Sequence, residues 1–194
     1  MPTLDRRAQV TVAAYEEVAE HGLERLSLRA VARRLGATTG LISHHFVDRS
    51  ELVHAALDHA AAVMLDRVQS LGVDADPVDM LAAVLPTDAT TVEVWRFALS
   101  VRTAALFDPE VDQFDRRVRD YWERLLPERL EGSVAGDPHV ATRHLWALVD
   151  GVALHALLDP RQWPPARQIA HLRAGTATLA RDPIETMVAH VQES

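Results

Sequence analysis

The chain contains no cysteine and no lysine; all 20 of its basic residues are arginine. Without cysteine, disulfides, thiolate catalysis and cysteine-ligated zinc are excluded. No apolar run approaches the roughly 20 residues that a membrane-spanning helix needs. The first 25 residues carry alternating charges where a signal peptide would have an apolar core, so a cytoplasmic chain is expected. No Gly-rich phosphate loop, no glycine-flanked serine elbow and no H-E-x-x-H is present. The ten histidines invite a metal, but a di-iron bundle needs two E-x-x-H pairs, and only Glu51–His54 fits. We therefore expect no metal, no cofactor and no enzymatic activity. Strand-like alternation, internal repeats and low-complexity tracts are also missing.

What is present is ordinary for a globular protein: 48% hydrophobic and 25% charged residues over 194 positions, enough for one domain or two small ones. The net charge of −8 argues against a simple nucleic-acid binder, so its distribution matters. Residues 1–50 hold seven arginines against six acidic residues; the remainder holds 13 against 22. The acidity lies outside the first quarter of the chain.

That quarter contains the most informative run, Leu26 to Leu52. Leu28, Val31, Ala32 and Leu35 are spaced for one apolar face of a short helix. Gly36 follows where a helix C-terminus favours a residue that tolerates positive φ. Thr38 or Thr39 can N-cap the next helix, whose buried side is Leu41, Ile42 and Phe46. Thr38, Thr39, Gly40, Ser43, His44 and His45 are left facing outward. Two helices joined by a short glycine-containing turn form a helix-turn-helix, whose second helix enters the DNA major groove. Within the run, Arg29, Arg33, Arg34 and Arg49 face only Asp48 and Glu51, a locally basic end on an acidic chain.

The same stretch resembles the DNA-binding region of the TetR (tetracycline-repressor) family. The matching residues are Arg6-Arg7, Ala13-Ala14, Gly22, Ser27, Val31-Ala32, Leu35-Gly36, Gly40, His45-Phe46 and Glu51-Leu52. The resemblance implies a dimeric, ligand-responsive repressor on a near-palindromic operator. It implies DNA contact by Ser27, Arg29, Thr38, Thr39, Gly40, Ser43, His44 and His45, with Arg49 neutralising phosphate. Most members carry phosphate-reaching tyrosines at the positions of Ser43 and His44, and this chain departs from that pattern.

Beyond the head, the chain is punctuated by proline and reads as helices near 50–71, 77–85, 89–107, 109–131, 138–158 and 164–181, with a last short one at 183–192. The fold class is therefore all-α, a three-helix head and a larger helical body; the resemblance implies a DNA-binding domain at 1–48 and a ligand-binding and dimerisation domain at 49–194. The segment Leu145–Pro160 is apolar around most of its circumference and must be buried on two sides. It resembles the penultimate helix of the subgroup around the choline-responsive repressor BetI, which dimerises through its last two helices. Leu148, Val152, His155, Ala156 and Leu172 are accordingly expected at a homodimer interface. An effector pocket is expected from Trp95, Arg102, Phe107, Trp122, Trp146 and Asp150, since indoles with a carboxylate can hold a cation. The rival reading is an all-α small-molecule carrier or enzyme without operator DNA.

Overall fold

The computed structural model describes residues 5–72, 74–131, 134 and 136–179, with Phe114 and Val118 through their backbone alone. The helix expected at 183–192 lies outside the described residues. Within them the chain forms α1 (Arg6–His21), a 3-10 turn (Leu23–Arg25), α2 (Leu28–Arg34), α3 (Thr39–His45) and α4 (Arg49–Gln69). These are followed by α5 (Pro77–Val84), α6 (Ala89–Ala105), α7 (Pro109–Leu130), α8 (Pro138–Leu158) and α9 (Pro165–Leu179). No strand occurs among the described residues, and the fold is all-α.

The helix starts follow from local chemistry. Asp76 and Asp137 cap α5 and α8, accepting from the Val78 and His139 amides at 2.7 and 2.8 Å. Each is followed by a proline at the first helical turn, where the missing N–H would be unsatisfied in any case. Asp48 caps α4 by accepting from the Glu51 amide at 2.9 Å.

The chain divides into two compact units: residues up to 67 with 89–118, and 68–88 with 119 onward. These units follow packing and are cut differently from the expected 1–48 and 49–194. The reason is α6. It lies along α1, and its Ser100 hydroxyl accepts from the Leu23 amide at 2.7 Å. The head therefore shares one core with α6: Val10, Ala14, Val18, Val31, Ile42, Phe46, Leu52, Val94, Phe97 and Val101 are all buried in it.

In the second unit α9 packs on α8 and α5. Gly175 permits the α8 approach, because a Cβ there would collide with the Leu148 side chain. The buried Gln168 Nε2 donates to the Pro86 and Trp163 carbonyls at 3.1 and 2.9 Å, tying α9 to the segment after α5. This packing corrects the expected interface residues. Val152, Ala156 and Leu172 are 2%, 5% and 0% exposed within the single chain, so they build its own core. Leu148 is half-buried against α9, and only His155 is exposed. The apolar side chains that α8 leaves uncovered are Val140, Leu154 and Leu158, with Ala147 and Gly151 on the same stripe.

Candidate nucleic-acid interface and body cleft

The α2–α3 corner is built by caps and by apolar side chains. Ser27 Oγ accepts from the Ala30 amide at 3.1 Å and Thr38 Oγ1 from the Leu41 amide at 3.3 Å. Of the two threonines offered for the cap, Thr38 makes it. Gly36 turns the chain at φ 60°. Ile42 and Phe46 are fully buried and fix the roll of α3. Thr38, Thr39, Gly40, Ser43 and His44 are thereby exposed, while His45 is half-buried with its ring edge-on to His44 at 5.1 Å. Ser43 Oγ donates back to the Thr39 carbonyl at 3.0 Å. Gly40 has no internal reason to be glycine: its φ is not positive, and a Cβ would meet only Thr38 Oγ1, at 4.0 Å.

Charge on this face differs from the count within Leu26–Leu52. Arg34 donates to Glu16, Glu17 and Glu20 of α1 at 3.0, 3.1 and 2.8 Å, and Arg33 pairs with Glu17 at 3.5 Å. Burial works against the Arg34 charge, but its hydrogen bond to Glu16 and the fields of Glu20 and Glu16 outweigh it and raise its pKa. Arg49 is also engaged internally. Its Nε and Nη2 donate to the Leu26 and Leu23 carbonyls at 3.0 and 2.7 Å, so two of its five N–H donors clamp the head. The Arg29 and Arg25 guanidinium groups are exposed and form no side-chain hydrogen bond or ion pair among the described residues.

Arg7 does work that the sequence does not reveal. Its guanidinium lies 4.2 Å over the Phe46 ring, donates to the His45 carbonyl and pairs with Glu51 at 2.8 Å. Glu51 in turn accepts from the Val47 amide at 2.8 Å. The Val47 amide and then the Arg7 guanidinium hold the Glu51 carboxyl below the usual carboxylate range. This network fastens the C-terminal end of α3.

The expected pocket residues fall in different units. Trp95 is buried in the first, with Arg102 5.4 Å from its ring and 3.5 Å from Asp115. Phe107 is 85% exposed on the turn after α6. Trp122, Trp146 and Asp150 do come together, in the second unit. They wall a cleft of about 220 Å3 between α7 and α8, completed by Glu123, Thr142, Arg143 and Ala147. The Trp122 and Trp146 rings are 5.0 Å apart and tilted by 32°. The four added residues surround Trp146 in helical register or face it from α7, a pattern visible only once α7 and α8 are paired. Among the described residues no group of three or more potential metal ligands occurs, and no helix is long and apolar enough to cross a membrane.

Comparison with known proteins bears on both regions. Residues 10–56 match the family model for bacterial regulatory proteins of the tetR family, and residues 77–181 match that of the C-terminal part of BetI-type transcriptional repressors. The chain belongs to the TetR family. It is a DNA-binding transcriptional regulator with a helix-turn-helix head. Among its TetR-family relatives, the transcriptional regulator PksA of Bacillus subtilis is 31% identical over 166 residues, covering 80% of each chain. BetI of Stenotrophomonas maltophilia is 25% identical over 185 residues, covering 86% of this chain and 89% of the relative. A Rhodococcus transcriptional regulator superposes with a TM-score of 0.82 at 25% identity, over 92% of this chain and all of the other. A Saccharomonospora viridis regulator solved in complex with choline gives 0.75 at 22% identity, over 87% and 93%, a likeness of fold. In this TetR-family head, the tyrosine positions are held by a serine whose hydroxyl bonds its own helix and by an exposed histidine.

Proposed function

We propose that this TetR-family regulator acts in the cytoplasm as a homodimeric, non-enzymatic repressor that small-molecule binding releases from a near-palindromic operator. The observation that carries the DNA reading is the outer face of α3. It is rigidly mounted from below, yet its own outer residues are small or hydrogen-bonding and make few contacts within the chain. Thr39, Gly40 and His44 face the groove, Ser27 and Thr38 cap the two helix starts beside the phosphates, and Arg29 supplies charge. Gly40, needless for folding, suits close approach of the α3 backbone to DNA. Ser43 acts at closer range than the tyrosine common at its position would, and His45 contacts DNA beside it.

For dimerisation, the uncovered stripe Val140, Ala147, Gly151, Leu154 and Leu158 on α8 is the supporting feature, with exposed Ala170, Ala174 and Ala177 on α9. An exposed apolar face of this kind favours a self-complementary two-fold contact, and His155 borders it. Two recognition helices then lie about 34–36 Å apart, one DNA turn. The α7–α8 cleft, walled by Trp122, Trp146 and Asp150, is the candidate effector site. A preference of about 1–3 kcal/mol for the non-binding state already weakens operator affinity roughly 5- to 150-fold.

The experiment is a gel-shift of the purified full chain on the DNA upstream of its own gene, with a random duplex as competitor. Specific, salt-sensitive retention is expected. Retention no better than that of the random duplex, from ligand-free dimer, would favour a carrier or enzyme that does not use an operator.

A further inference from the structure

The residues that wall the α7–α8 cleft include two with an enclosed polar atom that no described residue satisfies. Thr142 is 2% exposed, and its hydroxyl has no hydrogen-bond partner. One turn along α8, the Trp146 indole Nε1 is likewise enclosed and unpartnered. Buried polar atoms are nearly always bonded in folded proteins, and two exceptions side by side call for a missing partner. Both residues wall the cleft with Trp122, Glu123, Arg143 and Asp150.

We propose that this cleft binds an uncharged planar ring bearing a carboxamide or ketone oxygen. The indole N–H is a donor only, so the occupant must bring an acceptor to Trp146. The Thr142 hydroxyl can then donate to the same oxygen. The tilted pair of indoles offers a stacking surface for a flat ring. A cavity of ~150 Å3 holds benzene, so about 220 Å3 admits one substituted ring. A quaternary ammonium fits less well. It brings no acceptor to Trp146, it meets only two aromatic walls, and Arg143 offsets the two carboxylates. The ligand enters by a small rotation of the Trp146 ring that uncovers its N–H edge. The proposal rests on the effector reading only for its regulatory consequence; binding itself is independent of DNA.

The test uses the full chain labelled with 15N-tryptophan, which has four indole N–H signals to resolve. Trp146→Phe identifies the relevant one. Benzamide is expected to move that signal saturably. Toluene and benzyltrimethylammonium, which share the ring but lack the acceptor, should bind about tenfold more weakly or less. Thr142→Val keeps the shape without the hydroxyl: it should weaken benzamide roughly 3- to 10-fold while raising the thermal midpoint, since an orphaned hydroxyl is removed. An unmoved Trp146 signal in folded protein overturns the proposal. So does equal binding of benzyltrimethylammonium, or benzamide affinity unchanged by Thr142→Val. If benzamide fills the cleft while the upstream duplex stays retained, the site stands and its effector role falls. If benzamide leaves Trp146 unmoved while another compound releases the duplex, the site falls and the effector reading stands.

Discussion

Arg49 separates two roles that a basic residue can play in a DNA-binding head. In the structure its guanidinium donates to the Leu26 and Leu23 carbonyls at 3.0 and 2.7 Å, joining the start of α4 to the 3-10 turn before α2. The substitution that isolates this is Arg49→Met, which keeps the aliphatic stem and removes both donors. Charge-assisted hydrogen bonds contribute about 1.5–3 kcal/mol each at best. Arg49 is exposed as a residue, so water competes, and about 1–2 kcal/mol for the pair is the reasoned loss. For a chain of 194 residues this lowers the thermal midpoint by about 2–8 °C. The discriminating assay is the slope of log affinity against log salt for the upstream duplex. Neutralising one phosphate contributes about 0.9 to that slope; a clamp contributes nothing. Arg49→Met should therefore lower stability and specific affinity with the slope unchanged. An unaltered midpoint with a slope reduced by about one would refute the clamp and restore Arg49 to the phosphate.

Gly40→Ala should raise stability by about 0.5 kcal/mol, because nothing in the protein opposes the methyl group, while weakening specific DNA retention; thermal melts and gel-shifts on the same sample check both signs. Arg34→Met leaves Glu17, whose side chain is 4% exposed, with only Arg33 and His21 nearby. A loss of about 2–3 kcal/mol in urea unfolding is expected, below the cost of an unrelieved buried charge, and Glu17→Gln in the same chain should recover part of it. Burial, then the fields of Glu16 and Glu20, push the Glu93 carboxyl up. Its stabilising contribution is thus complete below the ordinary carboxylate pKa and is lost as pH rises through the raised folded value. Glu93→Gln should be more stable than wild type near neutral pH, and denaturation midpoints should converge below about pH 4.

Features that depend on neighbours in sequence were legible in it. The helix-turn-helix, its Gly36 turn, the Thr38 cap and the proline-led starts of α5 and α8 are all set within a few residues. Features that depend on which elements meet were not. Counting Arg33 and Arg34 as free basic residues overlooked Glu16, Glu17 and Glu20, which lie on another helix. Arg49 matched a phosphate-contact position, but its reach to the Leu23 and Leu26 carbonyls is a tertiary fact. In α8, apolarity around the helix showed that two sides are covered, yet periodicity alone could not tell which side meets the chain's own core. Val152 and Ala156 lie inward; Leu154 and Leu158 lie outward. Among the aromatic residues, Trp122 and Trp146 meet across α7 and α8, whereas Phe107 projects from a turn.

The central claim is that the outer face of α3 reads operator DNA in a two-fold arrangement. Hydroxyl-radical footprinting of the upstream DNA, with the wild-type chain and with Thr39→Ala/His44→Ala, tests it most directly. The account predicts two mirrored protected patches whose centres are separated by about 10–10.5 base pairs or a multiple. It also predicts their loss in the doubly substituted chain at unchanged fold. Uniform, salt-dependent coating by both proteins, with no discrete half-sites, would contradict it.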